Sequence, residues 1–268
     1  MSALTFTLKK DLVQKLDVST LTPDLLADKS LTEISATLLW YGKQQIAASE
    51  AFAITGSDTN NIVFDKSTTK IDYIGSGLST GSISVNGNAG AFLAFQMRNG
   101  KISINGNVAD FAACGMAGGL LQINGNVGDY LGAALVGDRK GMKGGIVIVK
   151  GNAGECVGDQ MRRGMILIEG NAGNYCASRM LAGTIGVLGD VGEFVGYGMR
   201  RGTILLTQTP KLHATIQDCG IHTLPFLSLM FKSFSGLSSK FAHINQNRVQ
   251  RFAGDIGNDG KGEILVLK

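Results

Sequence analysis

The sequence predicts an all-β fold, a right-handed parallel β-helix, and three observations lead there. The phrase Gly-x-[Ile/Leu/Val]-x-[Ile/Val]-x-Gly-[Asn/Asp]-[Val/Ala] occurs six times in the middle of the chain. Glycine supplies 38 of the 268 residues, about twice its usual share of roughly 7%. Within each phrase two apolar residues stand two apart, the period of a strand.

The phrase closes on Gly87, Gly106, Gly125, Gly151, Gly170 and Gly189, at steps of 19, 19, 26, 19 and 19 residues. The long step holds a seven-residue insertion between Ala134 and Lys140 that carries Asp138, Arg139 and Lys140 and reads as a contact loop. A seventh copy starts at Gly202 and loses its closing glycine at Gln208. The paired apolar positions run from Ile83 and Val85 to Ile185 and Val187. A 19-residue unit with one such strand has no room for a helix and cannot bury its own apolar face. Stacked copies can, each unit becoming one coil whose strand pairs with the next at about 4.8 Å. Parallel crossovers are overwhelmingly right-handed, which sets the expected hand.

Stacking turns equivalent positions into ladders. Asn88, Asn107, Asn126, Asn152, Asn171 and Asp190 follow the closing glycines. Their side-chain amides can hydrogen-bond from coil to coil, and these residue types tolerate a left-handed turn conformation. Phe92, Phe111, Tyr130, Cys156, Tyr175 and Phe194 form a second series, expected to stack in the interior with Cys156 as a small apolar substitute. Glycines spaced as in Gly125, Gly128 and Gly132 mark corners, where positive φ and close approach of neighbouring coils are needed.

The flanks break the rhythm. Residues 1–75 read as an N-terminal cap with an irregular first coil: a strand over Leu4–Leu8, a short helix signalled by Thr22-Pro23-Asp24, and alternation around Ile62, Phe64, Ile71 and Tyr73. The array spans 76–207. Residues 208–268 read as a C-terminal cap and partner-docking segment. It holds an amphipathic helix after Pro225, with Phe226, Leu227, Met230, Phe231 and Phe234 near one face, and a terminal strand over Ile264–Leu267. The expected work of both flanks is to cover the open ends of the solenoid.

Composition narrows the function. The formal charge of +4 contains no block of like charges that would indicate nucleic acid. No apolar run is long enough for a membrane span. The four cysteines include no C-x-x-C pair, so reduced thiols and a cytoplasmic location are expected. His213, His222 and His243 lie outside the array without metal-ligand spacing, and Asp110, Asp129, Glu155, Glu169 and Glu193 are scattered singly. No catalytic or metal site is expected.

One pattern exceeds what packing requires. Met97, Met116, Met142, Met161, Met180 and Met199 stand three residues before each opening glycine that follows, and basic residues come after four of them. Arg98, Lys143, Arg162, Arg163, Arg200 and Arg201 should therefore line one edge of the rod, where their mutual repulsion favours an anionic or acidic neighbour.

The 19-residue array with its Gly-x-x-Gly-x-x-x-Gly corners resembles the glycine-motif β-helix family shared by the carboxy-terminal part of the large chain of glutamate synthase and by the C subunit of formylmethanofuran dehydrogenase. The match is good over 81–207. With its flanks included, the chain is most similar to the C-subunit family, including the version in the bacterial formyltransferase/hydrolase complexes of methylotrophs. The resemblance implies a non-catalytic scaffold partnered by an amidohydrolase-like A subunit, by the B subunit and by a formyltransferase D subunit. Such complexes move a formyl group from formyl-tetrahydromethanopterin to methylofuran and release formate in formaldehyde oxidation. No cofactor is expected to be held tightly by this chain. The glutamate tail of methylofuran is a candidate ligand for the basic edge, since arginine binds carboxylates bidentately. A glutamate-synthase-like structural domain and a free polyanion-binding module are the alternatives.

Overall fold

A computed structural model describes residues 2–258 and 260–268. The chain opens with β1 (Ala3–Leu8), β2 (Leu16–Asp17), the short helices α1 (Pro23–Leu26) and α2 (Leu31–Ser35), β3 (Leu38–Tyr41), β4 (Gln44–Ala47), α3 (Ala48–Ala51), β5 (Phe52–Thr55), β6 (Asp58–Ser67) and β7 (Ile71–Asp72). One strand then falls in each repeat: β8 (Ser82–Gly87), β9 (Lys101–Ile104), β10 (Leu120–Ile123), β11 (Lys143–Val149), β12 (Arg163–Ile168), β13 (Thr184–Val187) and β14 (Arg201–Leu206). The chain ends with β15 (Gln217–Thr223), α4 (Phe226–Phe234), β16 (Arg248–Ala253) and β17 (Lys261–Leu267).

The repeat strands pair in parallel and in sequence order, each apolar pair directly over the next: Ile83 on Ile102, Leu121 on Val147, Ile166 on Ile185. A second column of parallel bridges, from Ala89 through Val108, Val127, Ala153 and Ala172 to Val191, forms another wall of each coil. The chain is thus a β-solenoid, as its repeat predicts. The ladder also extends beyond the repeats. Parallel rungs are added by β6 and β1 at one end and by β17 at the other. Antiparallel strands finish the sheet, β5 on β1 and the β15–β16 pair on β17. A smaller sheet, β4-β3-β2-β7, sits beside the N-terminal coil. The Asp24 carboxylate ties α1 to the start of the array by accepting from the Ser79 N–H at 2.8 Å and from the Ser79 and Thr80 hydroxyls.

One hydrophobic core runs inside the coils from Leu4 to Val266, and every methionine of the repeated column is fully buried in it. The ring ladder is elsewhere. Stacked pairs form as expected, with centroids 4.8 Å apart for Tyr73 and Phe92, 5.2 Å for Phe92 and Phe111, and 4.9 Å for Phe111 and Tyr130. They lie on the outside, however, where Tyr130 and Tyr175 are each 38% exposed and Phe194 is 40% exposed. The reason is backbone conformation. Tyr73, Phe92, Phe111, Tyr130, Cys156, Tyr175 and Phe194 all have φ between 56 and 62°, which turns the side chain out of the coil. The left-handed conformation that the asparagine column could tolerate falls on the ring column instead. It recurs two residues later, at Ala94, Ala113, Gly132, Gly158, Ala177 and Gly196, which makes the tight corner and explains why that position is small.

The asparagine side chains bond from coil to coil as expected, each Oδ1 accepting from the backbone N–H of the equivalent residue one coil later. Asn88 Oδ1 accepts from the Asn107 N–H at 2.8 Å, and the same bond repeats up to Asp190, whose N–H donates to Asn171 at 2.9 Å. The first glycine of each corner lets this happen, since a Cβ on Gly125 would stand 2.4 Å from the Gly106 carbonyl oxygen.

The C-terminal helix also departs from expectation. It does not cover an end. Instead α4 and the 3-10 turn over 240–243 lie on the outer face of the sheet, where Leu227, Phe231, Phe234 and Phe241 pack on Leu167, Leu205 and Leu265 in a second core. Phe226 points away and is exposed. The long sheet itself ends on antiparallel strands, β5 on one side and β15 on the other.

Candidate functional site

The basic edge exists because the backbone forces it. The N–H that follows each buried methionine donates to the equivalent carbonyl one coil earlier: Arg98 to Leu78 at 2.8 Å, Lys143 to Met116 at 2.7 Å, Arg162 to Met142 at 2.8 Å and Arg200 to Met180 at 2.8 Å. Ala117 and Leu181 keep the same bond without the charge. Successive side chains therefore emerge in one column. Lys143 and Arg163 are register neighbours, and so are Arg201 and Lys261. Arg98, Lys143, Arg162, Arg163, Arg200 and Arg201 are all exposed, and among the described residues none of them makes an ion pair.

The carboxylates of the coils are engaged elsewhere. Asp110 accepts from the Asp129 N–H at 2.9 Å and Asp129 from the Glu155 N–H at 2.7 Å, a ladder parallel to the asparagines. Glu169 caps the Lys240 N–H at 2.9 Å, and Glu193 pairs with Lys211 at 2.6 Å. Burial pushes the thiols of Cys114 and Cys176 up to about 12. It also raises half-buried Cys156, aided by Asp159, Glu155 and Asp129 nearby, so these thiols stay protonated at neutral pH. His213 is held by Thr215 at 2.8 Å and His222 by the Cys219 carbonyl at 2.8 Å. Among the described residues no group of three or more His, Cys, Asp and Glu could hold a metal ion, and no helix is long and apolar enough to cross a membrane.

Beside the basic edge, at the coil corners, lies a feature not singled out from the sequence. The ring ladder breaks at Cys156, and three residues later Asp159 stands in a column otherwise made of Phe95, Cys114, Ala133, Ser178 and Tyr197. Asp159 is buried and receives three bonds: from Ser178 Oγ at 2.6 Å, Arg179 Nε at 2.8 Å and Arg179 Nη2 at 2.5 Å. The two-pronged bond raises the Arg179 guanidinium above its usual value against the opposing effect of burial. Arg179 then faces a cleft of about 530 Å³ lined also by Arg139 from the insertion, Arg200 from the basic edge, Gln160, Leu181, Tyr197, Gly198 and Asn258. One wall is fixed by Asp255, which accepts from the Gly198 N–H at 2.7 Å and the Gly257 N–H at 3.0 Å. Burial pushes Asp255 up, but bonds from Gly198, Thr215, Asn258 and Gly257 outweigh it and hold the carboxyl below its ordinary range. The sequence signal for the cleft was the single charge in an otherwise uncharged column.

Comparison with known proteins places this geometry in a family. The model of the GXGXG motif matches residues 47–223. The chain belongs to the GXGXG-motif family. It superposes on a chain of the formyltransferase/hydrolase complex (FhcABCD) from Methylorubrum extorquens, whose crystal structure is in complex with methylofuran, with a TM-score of 0.92 and 35% identity. That match covers 98% of this chain and 99% of the other. It is also 35% identical over 87 residues to the C subunit of the molybdenum-containing formylmethanofuran dehydrogenase 1 of Methanosarcina barkeri (strain Fusaro / DSM 804). There the matched stretch covers 31% of this chain and 29% of the relative's length. Within the GXGXG-motif family, this chain thus resembles the C subunits of these complexes.

Proposed function

We propose that this chain is the scaffold subunit of a cytoplasmic formyltransferase/hydrolase complex, assembled with an amidohydrolase-like A subunit, with the B subunit and with a formyltransferase D subunit. In this reading the complex moves a formyl group from formyl-tetrahydromethanopterin to methylofuran and releases formate, with the chemistry on the partner subunits. The observation that carries it is the near-full-length likeness, at 35% identity, to a chain of the FhcABCD complex. The residue chemistry agrees, because the coil carboxylates and buried thiols serve the fold. On the surface, Arg98, Lys143, Arg162, Arg163, Arg200 and Arg201 hold or steer the glutamate tail of methylofuran.

Affinity purification of the tagged chain from its own host at low salt, with mass spectrometry of the co-purifying proteins, tests the assembly. Stoichiometric amidohydrolase and formyltransferase subunits are expected, and recovery of the chain alone overturns the reading. For the edge, the combined Arg162→Glu, Arg163→Glu, Arg200→Glu and Arg201→Glu variant of the intact complex should raise the apparent KM for the long-tailed carrier. An unchanged KM at low salt removes that assignment.

A further inference from the structure

We propose that the break in the ring ladder at Cys156 is a slot for one aromatic side chain of a partner protein. The column itself measures the gap. Phe92 and Phe111 each stack on a ring to either side, and both are half-buried. Tyr130 stacks on Phe111 alone, and Tyr175 stacks on Phe194 at 5.0 Å with Tyr197 edge-on. Among the described residues no ring covers the faces that these two tyrosines turn toward Cys156, and both side chains are exposed.

The backbone keeps step across the break. The Tyr130 N–H donates to the Glu155 carbonyl at 2.8 Å, Cys156 to Asn174 at 2.9 Å and Tyr175 to Glu193 at 2.9 Å. Cys156 also has the left-handed φ of the column, 56°. The seven-residue insertion therefore leaves the column in register, and Tyr130 and Tyr175 face each other across two strand spacings, roughly 10 Å. A ring set midway would stand about 5 Å from each, within the range that aromatic pairs favour. Stacked neighbours in this ladder already stand at that distance. The base of the slot is neutral, because burial keeps the Cys156 thiol protonated and the charges of Asp159 and Arg179 are tied to each other.

The surroundings select a protein rather than a small molecule. On one side Tyr130 and the fully exposed Val136 of the insertion line a cleft of about 360 Å³. On the other, Phe194 and Tyr197 are 40% and 51% exposed. Apolar surface thus continues on both sides of a slot that a single ring would fill. An aromatic anchor in a pocket, ringed by surface that excludes water, is the usual centre of a protein interface. The inference rests on the assembly proposed above and places one of its subunits on this face.

The test compares alkylation of Cys156 by iodoacetamide, mapped by mass spectrometry, in the free chain and in the complex purified through the tagged chain. Cys156 should react at least about tenfold more slowly in the complex, since a thiol must be reached to react. Cys156→Phe then fills the slot from within. It should fold with an unchanged or raised thermal midpoint, because six residues of the column carry rings on the same φ. It should also lower recovery of co-purifying subunits at least about tenfold, the scale of losing an anchor. Cys156→Ser leaves the slot open and should recover them as the parent does. A complex in which Cys156 reacts as in the free chain, or which forms equally with Cys156→Phe, overturns the slot and leaves the assembly standing. Recovery of the chain alone overturns both. Protection that rises with the concentration of the free chain identifies a second copy as the occupant and overturns the partner assignment.

Discussion

The outer face of the long sheet is bare over its N-terminal coils and covered over its C-terminal ones, although the inner face is the same throughout. Outward positions between the paired apolar residues are Ser84, Ser103 and Gln122 in the first half and Ile148, Leu167, Gly186 and Leu205 in the second. In the first half they are partly solvated, with Ser84 and Ser103 facing each other at 3.4 Å. In the second half Ile148, Leu167 and Leu205 are fully or almost fully buried. Leu167 and Leu205 pack under α4 and the turn that holds Phe241. The difference teaches that the repeat alone is sufficient for a coil, while the outer layer is a local addition that rewrites only the residues it touches.

The largest effect should come from removing the keystone of that layer. Phe241→Ala takes a fully buried ring from against Leu167, Leu205 and Phe234 and should cost about 3–5 kcal/mol, read as a drop in denaturant midpoint. Gly186→Ala comes next. A Cβ there would stand 2.6 Å from Phe241 Cε1, so the outer layer must shift, at about 1–3 kcal/mol. The same midpoint measured in the Gly186→Ala, Phe241→Ala double variant should show less than the sum, because the clash partner is gone.

Acid should probe the clamps at either end of the array. Asp24 is raised by burial but lowered more by Ser79 and Thr80, and Asp255 behaves likewise with its own donors. A depressed carboxyl contributes stability that is complete above the ordinary carboxylate range near 4 and is lost as pH falls through the lower folded value. Unfolding midpoints should therefore decline below about pH 4, and Asp255→Asn should be less stable at neutral pH with a shallower decline. The smallest effect belongs to the bare half: Gln122→Thr should stay within about 0.5 kcal/mol of the parent. A larger loss there would mean that the two halves differ less than their surfaces indicate.

The ring ladder shows how far a sequence pattern reaches. Periodicity places Phe92, Phe111 and Tyr130 in one column and stacks them, since equivalent positions of equal coils must superpose. It does not say which way the column faces, because inside and outside are set by φ, and seven successive coils take a left-handed φ at that position. Likewise the basic edge was legible, being a repeated offset from a buried methionine. The arginine cleft was not, since Arg139, Arg179 and Arg200 share no offset and meet only when an insertion, a corner and an edge fold together.

By itself, then, the sequence determined the coil. A 19-residue period with two inward apolar residues and crowding that admits only glycine leaves stacked parallel strands as the way to bury the apolar face. Only the tertiary structure decided what the ends and surfaces do: that the last strand rejoins the ladder beside β14, that α4 lies along a wall instead of over an end, and that three arginines converge. The physical reason is range. Repeated local contacts are encoded once per coil and reinforce one another, whereas each of these outcomes depends on single contacts between residues tens of positions apart, which no periodicity records.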